Sequence, residues 1–435
     1  MIILGISEGF HDAAVCYIKN GEILHASHSE RYSKIKGDKN IHNDQYLPYD
    51  KIAYYEKPFS KNLRRISTGQ SWQSTKIKYD KAFSHHKSHA AAGYYTAPFD
   101  DCNIIVNDAI GEWDTISIWD NMKKIHSWKY PYSLGLLYSA ITQSIGLKPN
   151  EEEYITMGMA AYGEPIHNLE PYLEQNNHYG IGKLEGRKED LAASVQALFE
   201  KKLLELVDMC PKKNIILMGG CALNCLANSK IKGKNIWIMP NPGDAGSSLG
   251  AAALMYGKKL NWRGPYLGYN INKEVNPKDV VKELLKNKMC GIAHGKAEFG
   301  PRSLGNRSLI ADPRINSIKD KVNEVKYRDK FRPFAPAILE EYAHEYFEGP
   351  MNEYMQFVAT SKHDYSSVTH VDGTARVQVV KEDCQSILRP ILEEWYDKTG
   401  CPMLLNTSLN IKGQPIVNDE NDAIKFMERS SIRVF

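Results

Sequence analysis

Short apolar runs alternate with turn-forming residues through the first half of this chain. "MIILGIS" and "AAVCYIKNGEILHASH" open it, and Asn20-Gly21 separates two apolar runs as a hairpin turn does. "CNIIVND" and "ISIWDNMKKIHSW" repeat this order of strand, turn and strand, and "KNIILMGG" and "KNIWIMP" predict two further short strands. The pattern therefore predicts β-sheets that contain several hairpins.

Segments with helical spacing lie between these strands. "DLAASVQALFEKKLLELVDMC" repeats its apolar residues with the period of a helix, so the mixture predicts an α/β fold. Residues 261–280 are rich in Gly, Pro, Asn and Tyr, and we interpret them as a linker. "PKDVVKELLKNK" and "CGIAHG" then predict a helix and a strand of a second domain. For a chain of 435 residues we expect two domains, 1–262 and 263–435.

Composition excludes several function classes. Lys and Arg number 55 and Asp and Glu 52, so the net charge of +3 favours neither a nucleic acid nor a membrane partner, although a local basic groove is compatible with it. No apolar run approaches the roughly 20 residues that span a bilayer. The eight cysteines are scattered without CxxC pairs, which is typical of a reducing cytoplasm.

Three glycine-bearing turns follow predicted strands. They are "GISEGFHDAA", "IIVNDAIGEWDT" and "NPGDAGSSLGAA", and the last two carry Asp108 and Asp244. Backbone N–H groups in such turns can approach a phosphate, although each turn alone is more typical of an ordinary connection. Together they have the layout of a duplicated nucleotide-binding fold of the actin and sugar-kinase type.

Three histidines fall within five residues of "SHHKSHAAAGYYTAP". If this segment is helical, His85 and His89 lie on one face, as a two-imidazole metal clip requires, and His86 points elsewhere. A solvated helix end explains the histidines equally well. Asp108 and Asp244 could converge on the same cleft, and two imidazoles with carboxylates suit Fe(II) or Zn(II).

Basic residues are interleaved with Gly, Pro and Ser in the second half. "HGKAEFGPRSLGNRSLIADPR", "VKYRDKFRPFAPAIL" and "LLNTSLN" carry most of them. Guanidinium groups bind oxyanions through two parallel hydrogen bonds, so these loops suit a phosphate or carbamoyl phosphate dianion. The alternative is a solvated charged face.

These stretches together resemble the O-carbamoyltransferase family that includes the nodulation-factor, cephamycin and tobramycin enzymes. The most specific motifs are "HHKSHAAAGYYTAPFD", "NDAIGEWDT", "EFGPRSLGNRSLIADPR", "FRPFAPAIL", "HVDGTARVQVV" and "NTSLN". The resemblance implies an actin-like first domain similar to tRNA threonylcarbamoyl-transferases and a second domain similar to threonylcarbamoyl-adenylate synthase. It also implies that the second domain makes carbamoyladenylate from carbamoyl phosphate and ATP, with Mg²⁺ accompanying the ATP. An acceptor hydroxyl then attacks that intermediate in the first domain.

The resemblance assigns roles to residues of this chain. The implied metal ligands, for iron(II) or alternatively zinc or manganese, are His85, His89, Asp108 and Asp244. The implied transfer-site residues are His11, Asp12 and Lys36. Nucleotide or carbamoyladenylate contacts are implied for Gly111, Gly219, Gly220, Asn224 and Gly243. Contacts with carbamoyl phosphate and ATP are implied for Lys296, Arg302, Ser303, Arg307, Lys326, Arg328, Arg332, Asn406 and Ser408.

The chain departs from the family pattern at two positions. Ile155 stands where the family usually has Lys, and Leu409 replaces a usual Phe. A composition rich in Lys, Ile, Asn and Tyr fits a viral or low-GC genome, which would place the protein in a host cytoplasm. The acceptor candidates are then a sugar or natural product, or a hydroxymethylated pyrimidine of a nucleotide or DNA. Two basic stretches, 31–39 and 55–65, could contact phosphates, although solvated loops explain them as well.

Three other functions compete with this interpretation. A tRNA threonylcarbamoyl-transfer enzyme would lack the "GPRSLGNRS" segment, and a hydrogenase-maturation carbamoyltransferase would carry CxxC zinc modules. A non-catalytic actin-like ATP-binding protein would need neither His11 nor the basic second half. We expect no membrane association, and a homodimer is an expectation by analogy only.

Overall fold

A computed structural model describes residues 1–435, which fold as two compact units. The first unit contains residues 1–29 and 37–263, and the second contains residues 30–36 and 264–435. A short N-terminal segment therefore packs with the C-terminal half of the chain. The functions that we assigned to domains 1–262 and 263–435 remain predictions.

The first unit is built from ten strands and seven helices. Its strands are β1 (Ile2–Ser7), β2 (Ala14–Lys19), β3 (Glu22–His28), β4 (Lys51–Tyr54), β5 (Lys81–Ala82), β6 (Asn103–Asn107), β7 (Asp114–Asp120), β8 (Lys123–Lys129), β9 (Asn214–Met218) and β10 (Asn235–Trp237). Its helices, numbered after α1 of the second unit (Glu30–Ser33), are α2 (Pro58–Ser67), α3 (His85–Thr96), α4 (Leu134–Ser144), α5 (Glu153–Met159), α6 (Lys188–Asp208), α7 (Cys225–Lys230) and α8 (Ser247–Tyr256).

Two five-stranded sheets of the first unit repeat one topology. Their strand orders are β3-β2-β1-β4-β5 and β8-β7-β6-β9-β10. In each sheet the first three strands along the chain pair antiparallel, and the last two add in parallel. The predicted hairpin turn at Asn20-Gly21 is confirmed, with φ of 52° and 86° at these residues. The mixed sheets and their helices confirm the α/β class, and the repeated order is what an internal duplication produces.

The second unit contains the strands β11 (Tyr266–Ile271), β12 (Met289–Ala293), β13 (Gly295–Glu298), β14 (Arg307–Ala311), β15 (Ala335–Leu339), β16 (Phe347–Glu348), β17 (Ala359–Ser361), β18 (Thr374–Ala375), β19 (Gln378–Val380) and β20 (Met403–Ser408). Five of these strands form a mixed sheet of order β12-β14-β20-β15-β19. Besides α1, its helices are α9 (Pro277–Asn287), α10 (Ile318–Val325), α11 (Glu340–Tyr346), α12 (Leu388–Thr399) and α13 (Glu420–Ser430). No helix of residues 1–435 has both the length and the apolar character that crossing a membrane requires.

Two interpretations of connecting segments are wrong. Residues 261–280 are not a plain linker, because β11 pairs antiparallel with β13, whereas α9, which begins at Pro277, confirms the helix predicted from "PKDVVKELLKNK". Residues 55–65 are not a loop, because α2 begins at Pro58, where proline's fixed φ and missing N–H suit a first helical turn. Glycine and proline content indicated irregular backbone for residues 261–280, and basic charge indicated a solvated loop for residues 55–65.

Helix α8 packs against both β1 and α3, and this packing brings distant parts of the chain together. A Cβ atom at Gly250 of α8 would lie 1.8 Å from the carbonyl oxygen of Ser88 in α3. A Cβ atom at Gly5 of β1 would lie 1.9 Å from the carbonyl oxygen of Ser248. Only glycine permits these close approaches, and they set the residues that precede α8 beside the first turns of α3.

We expect Gly250→Ala to lower the free energy of unfolding by about 1–3 kcal/mol, because the added methyl group forces α3 and α8 apart. Gly158→Ala is the matched control. Gly158 lies in α5 with nothing within 4 Å of an added Cβ, so alanine there should be neutral or stabilising by up to about 1 kcal/mol. Chemical denaturation of both variants measures the difference, and equal stabilities would contradict the packing argument.

Candidate metal centre

Four side chains from three separate segments meet in the first unit. His85 and His89 occupy the first turns of α3, Asp108 follows β6, and Asp244 begins the short turn before α8. All four are buried, and one ligand atom from each lies within 4.8 Å of the others. The predicted convergence of the two aspartates on the histidine pair is therefore present in the fold.

The donor atoms face one another at hydrogen-bonding distances. His85 Nε2 lies 3.0 Å from Asp108 Oδ2 and 3.3 Å from Asp244 Oδ1. His89 Nε2 lies 3.2 Å from Asp244 Oδ1 and 3.1 Å from His85 Nε2. Two imidazole nitrogens and two carboxylates thus surround one small volume.

The other ring nitrogens of the two histidines face away from this volume. His89 Nδ1 is 3.0 Å from the carbonyl oxygen of Pro242, which can only accept, so the proton of His89 belongs on Nδ1. His85 Nδ1 is buried without a hydrogen-bond partner, and Glu56 Oε2 lies 3.9 Å from it. A proton on each Nδ1 leaves both Nε2 lone pairs directed at the carboxylates, as metal ligation requires.

Two glutamates support the start of α3. Glu112 Oε1 accepts hydrogen bonds from the backbone N–H groups of His85 at 3.0 Å and of Lys57 at 2.8 Å. Glu56 Oε1 accepts from Lys61 Nζ at 2.7 Å, and both side chains are buried. The glutamates therefore fix the backbone of His85 and place a carboxylate beside its free ring nitrogen.

The electrostatics of the cluster favour positive charge between the carboxylates. Burial and the charge of Asp244 oppose ionisation of Asp108, but the imidazoles of His85 and His89 hold its pKa below the ordinary value. Burial disfavours charge on His85, yet the two aspartates and Glu56 raise its pKa well above the ordinary value. Without a cation, a proton shared with His85 must offset the buried carboxylates.

This donor set fits a divalent first-row metal. His89 has the arrangement of a ligating histidine, with Nδ1 bonded to a carbonyl oxygen and Nε2 facing the carboxylates, and Glu56 lies 3.9 Å from the unbonded Nδ1 of His85. Imidazole and carboxylate ligands suit iron, zinc and manganese alike, so the residues fit a dication without identifying it.

His86 is separate from this cluster. Its Nδ1 is 2.7 Å from Ser117 Oγ, and burial lowers its pKa well below the ordinary value. An added Cβ at Gly111 would lie 3.0 Å from the His86 ring and 3.1 Å from His85 Cβ. Gly111 therefore lets its turn pack on the start of α3, and its predicted contact with a nucleotide stays a prediction.

His11 and Asp12 form a hydrogen-bonded pair beside the cluster. His11 Nδ1 lies 2.8 Å from Asp12 Oδ2, which leaves Nε2 available for another proton. Burial lowers the pKa of His11, but the hydrogen bond and charge of Asp12, together with Asp244 and Asp108, raise it to about 9. The charges of the cluster thus act directly on this imidazole.

The other residues predicted to contact a nucleotide have structural partners. Gly220 N–H donates to Asp108 Oδ1 at 3.0 Å, and Gly219 has a φ of 90°, which favours glycine. Asn224 caps α7 through Ala227 N–H and also bonds Gln196. Gly243 has open space where a Cβ would stand. Their nucleotide contacts stay predictions, as does the effect of Ile155, which is buried in α5.

A second group of predicted residues meets in the second unit. Lys326 is buried, and its Nζ bonds the backbone oxygens of Ser408 and Asn410 as well as their side chains. Burial and the charges of Arg328 and Arg332 lower its pKa well below the ordinary value. No carboxylate lies within 4.0 Å of Lys326 Nζ, so its surroundings disfavour the ammonium form, and an anion bound nearby would favour it.

Two further side chains near β14 and β20 keep unused polar atoms. Ser303 Oγ and Asn406 Oδ1 are buried and unpartnered, although Asn406 Nδ2 donates to the Ser303 carbonyl oxygen at 3.2 Å. Arg302 is half-buried, whereas Lys296 and Lys36 are exposed, and Lys36 belongs to the second unit and not to the unit of His11. The predicted roles of these residues stay predictions.

Arg307 is engaged by the backbone. Its guanidinium donates to the carbonyl oxygens of Asn418, His294, Gly295, Asn306 and Tyr269, and burial lowers its pKa to about 10. All five N–H groups are thereby occupied in this conformation. Its predicted contact with carbamoyl phosphate would require these bonds to be exchanged.

Comparison with known proteins identifies the family. The model of the carbamoyltransferase N-terminus matches residues 51–183 and 172–253, and that of the carbamoyltransferase C-terminus matches residues 281–435. Nodulation protein NolNO of Sinorhizobium fredii is 30% identical over 95% of this chain and 76% of its own length. The chain belongs to the carbamoyltransferase family.

Other relatives extend over the whole carbamoyltransferase chain. The uncharacterized protein sll1178 of Synechocystis is 30% identical over 99% of this chain and 94% of its own length. Among solved structures, the activator of the 2-hydroxyisocaproyl-CoA dehydratase from Clostridium difficile with bound ADPNP is 15% identical, with a TM-score of 0.40. That similarity covers 59% of this chain and 95% of the activator.

Sequence reasoning missed Glu56 and Glu112 of this carbamoyltransferase. Glu56 follows strand β4 at a distance of two residues, much as Asp108 follows β6, so an acidic residue after an apolar strand was the available signal. Glu112 lies inside the quoted "NDAIGEWDT" motif, but its target is a backbone N–H 27 residues away. Such a contact leaves no local pattern.

We expect Glu56→Gln to weaken Zn²⁺ or Co²⁺ binding at least about tenfold, because a neutral amide removes the negative charge that lies 3.9 Å from His85 Nδ1 and favours a protonated Nδ1. The amide oxygen still accepts a hydrogen bond from Lys61, which limits damage to the fold. Competition with a chromophoric chelator measures the affinity, with exposed Glu174→Gln as control. Equal affinity of the Glu56→Gln variant and the parent would contradict the assignment.

We expect Asp12→Asn to lower the pKa of His11 from about 9 toward the ordinary value of about 6.5, because the hydrogen bond and charge of Asp12 favour the imidazolium. NMR titration of metal-free protein with labelled histidines measures this pKa, and His11→Gln assigns the resonance. Exposed Asp101→Asn is the control. An unchanged pKa in the Asp12→Asn variant would show that the pair is not formed.

Proposed function

We propose that this carbamoyltransferase is an ATP-dependent O-carbamoyltransferase with its two chemical steps in separate units. The second unit forms carbamoyladenylate, and the first unit passes the carbamoyl group to a hydroxyl. The observation that carries the proposal is the His11–Asp12 pair beside the His–Asp cluster, in a chain of the carbamoyltransferase family.

The proposed reaction has two parts, the formation of carbamoyladenylate and the transfer of its carbamoyl group to the acceptor. Water displaces inorganic phosphate from carbamoyl phosphate and leaves carbamate, whose oxygen attacks the α-phosphorus of ATP and releases pyrophosphate. The acceptor hydroxyl then attacks the carbonyl carbon of carbamoyladenylate, the bond to the AMP oxygen breaks, and the hydroxyl proton passes to a base. AMP is a far better leaving group than the hydroxide that free carbamate would have to expel, so adenylation makes transfer feasible.

The surroundings of Lys326 in the second unit support the first step there. Lys326 has only neutral acceptors, and Arg328 and Arg332 lie close enough to lower its pKa. Carbamoyl phosphate, ATP and pyrophosphate are polyanions, and each would favour the charged form of Lys326. The buried, unpartnered Ser303 Oγ and Asn406 Oδ1 offer further hydrogen-bonding atoms.

His11 is the proposed base of the transfer step. Asp12 holds the proton on Nδ1 and orients the ring, so Nε2 can accept the proton of the attacking hydroxyl. The same carboxylate stabilises the imidazolium that results. Asp108 and Asp244 contribute to the raised pKa of His11 in the metal-free protein, and a dication held by these carboxylates would lower it, so that Nε2 is free to accept the proton.

The proposed holder of the metal is the set His85, His89, Asp108 and Asp244, with iron(II) as the proposed ion. A bound dication supplies positive charge against the negative charge that develops on the carbamoyl or phosphate oxygens. We further propose that the first unit resembles tRNA threonylcarbamoyl-transferases and that the second resembles threonylcarbamoyl-adenylate synthase. Mg²⁺ accompanies the ATP in this proposal, and the chain forms a homodimer. The proposed acceptors are a sugar or natural product hydroxyl or a hydroxymethylpyrimidine.

We expect the full chain to release phosphate and pyrophosphate from carbamoyl phosphate and ATP and to form carbamoyladenylate. Asp108→Asn should abolish transfer and leave adenylate formation intact, because Asp108 lies in the first unit. Lys326→Met should reduce adenylate formation at least about a hundredfold, because removing a charge-assisted contact to a buried phosphate costs several kcal/mol. Pyrophosphate release and chromatography of the adenylate measure these effects.

Transfer from synthetic carbamoyladenylate provides the matched control, because Lys326→Met should retain it while Asp108→Asn loses it. Free sugars and hydroxymethylpyrimidine nucleotides serve as acceptors in parallel. Absence of carbamoyladenylate with folded, metal-loaded protein would overturn the proposal. Loss of both steps in each variant would overturn the separation into two sites.

A further inference from the structure

Helix α2 buries polar side chains and exposes apolar ones, which is the reverse of an ordinary surface helix. Its buried residues are Lys61, Asn62 and Arg64. Phe59, Leu63 and Ile66, spaced four and three residues apart, lie on one face of the helix, and their side chains are 67%, 47% and 56% exposed. An apolar stripe therefore faces solvent where polar residues are the rule.

The buried polar side chains of α2 have partners that fix this orientation. Lys61 pairs with Glu56, and Asn62 exchanges two hydrogen bonds with the backbone of Gln73, at 2.9 and 2.8 Å. Arg64 donates to the carbonyl oxygen of Glu112 at 3.2 Å. The exposure of the apolar stripe is thus imposed by specific contacts and is not a fluctuation of a loosely held helix.

Further aromatic side chains extend the stripe. Trp72 is 52% exposed and packs edge-on against Phe59 with ring centroids 6.3 Å apart. Tyr179 is 65% exposed, and its hydroxyl donates to the carbonyl oxygen of Thr68 at the end of α2. We define the α2 surface by Phe59, Leu63, Ile66, Trp72 and Tyr179.

The α2 surface lies in a strongly basic segment. Residues 57–79 contain six Lys or Arg and no Asp or Glu. Lys61 and Arg64 are buried, but Lys57, Arg65, Lys76 and Lys78 are at least partly exposed, and none lies within 4.0 Å of a carboxylate. The adjacent carboxylate of Asp80 already accepts a hydrogen bond from the Ile52 N–H. Four cations thus share this segment with exposed aromatic rings and form no ion pair within 4.0 Å, and Lys76 acts only at longer range on the carboxyl of Glu8.

Two contacts join this surface to the candidate transfer site. The backbone N–H of Lys57 donates to Glu112, whose carboxylate also holds the start of α3 at His85. Gln73, next to Trp72, donates through Nε2 to the carbonyl oxygen of Gly9, two residues before His11. A ligand on the α2 surface would thus lie next to the loop that carries the proposed base.

We propose that the α2 surface binds single-stranded nucleic acid and presents it to the transfer site as the acceptor. Bases stack on exposed aromatic side chains, and phosphates contact unpaired lysines and arginines, which is the combination that single-strand-binding surfaces use. The role as acceptor rests on the proposed function, because it requires a hydroxyl-bearing base to reach His11. The binding itself does not.

Charge complementarity selects this ligand over the others. A neutral oligosaccharide could stack on Trp72 but would leave Lys57, Arg65, Lys76 and Lys78 without partners. A polynucleotide satisfies the rings and the cations together, at spacings that a flexible single strand can follow.

The test is fluorescence anisotropy of a labelled 20-nucleotide oligo(dT) with the full chain and without carbamoyl phosphate or ATP. Four phosphate contacts predict a slope of log K against log salt near about −3. Charge reversal in Lys76→Glu/Lys78→Glu should bring this slope closer to zero by at least about 1.4. Trp72→Ala should weaken binding at least about fivefold, and Trp72→Phe should restore most of it.

Lys232→Glu/Lys258→Glu is the matched control, because it makes the same change of net charge at two exposed lysines of the first unit that lie outside the α2 surface. Equal loss in both double variants, or oligo(dT) binding that ignores Trp72, would overturn the proposal. Binding to phosphatidylglycerol vesicles or to dextran, with none to oligo(dT), would also overturn it. Oligo(dT) binding without any carbamoyladenylate formation would sink the proposed function alone.

Discussion

Two carboxylates buried within contact of each other are the constraint on which the first unit depends. Asp108 and Asp244 repel each other in a region from which water is excluded, so the fold must bring positive charge between them. His85 and His89 supply the nitrogen atoms that face both carboxylates. A dication coordinated by two neutral imidazoles would supply this positive charge. Its binding would offset the repulsion between the two carboxylates that three segments bring together.

The surrounding backbone is organised to hold that junction. Gly250 lets α8 approach α3 closely enough for the turn of Asp244 to reach the histidines. Glu112 ties the start of α3 to the start of α2, and the carbonyl group of Pro242 fixes the ring of His89. The same contacts that position the metal ligands also turn the polar side of α2 inward, so the exposed stripe of α2 is a structural consequence of how the centre is supported.

The second unit solves the opposite electrostatic problem. Lys326 lies buried near Arg328 and Arg332 with neutral acceptors only, and the buried guanidinium of Arg307 likewise donates only to carbonyl oxygens. Neither buried cation forms an ion pair within the unit. The first unit gathers carboxylates that call for a cation, and this contrast of charge supports a division of labour between metal-assisted transfer and phosphate chemistry.

The sequence by itself determined most elements of this protein, and it pointed to the four side chains of the candidate metal centre. Alternating apolar residues predicted β1, the hairpin at Asn20 and the strand before Asp108, and helical spacing predicted that His85 and His89 share a face. These features depend on neighbouring residues, whose periodicity is local.

Only the tertiary structure decided how the four candidate ligands meet and which groups surround them. Asp244 meets His89 across 155 residues, Glu56 stands beside a ring nitrogen, and Arg307 turns to the backbone and not to an open surface. Residues 266–271 became a strand because β13 offered hydrogen bonds to β11. Such outcomes follow from the packing of segments that are distant in the chain, and the physical reason is that burial and hydrogen-bond satisfaction are properties of the assembled fold.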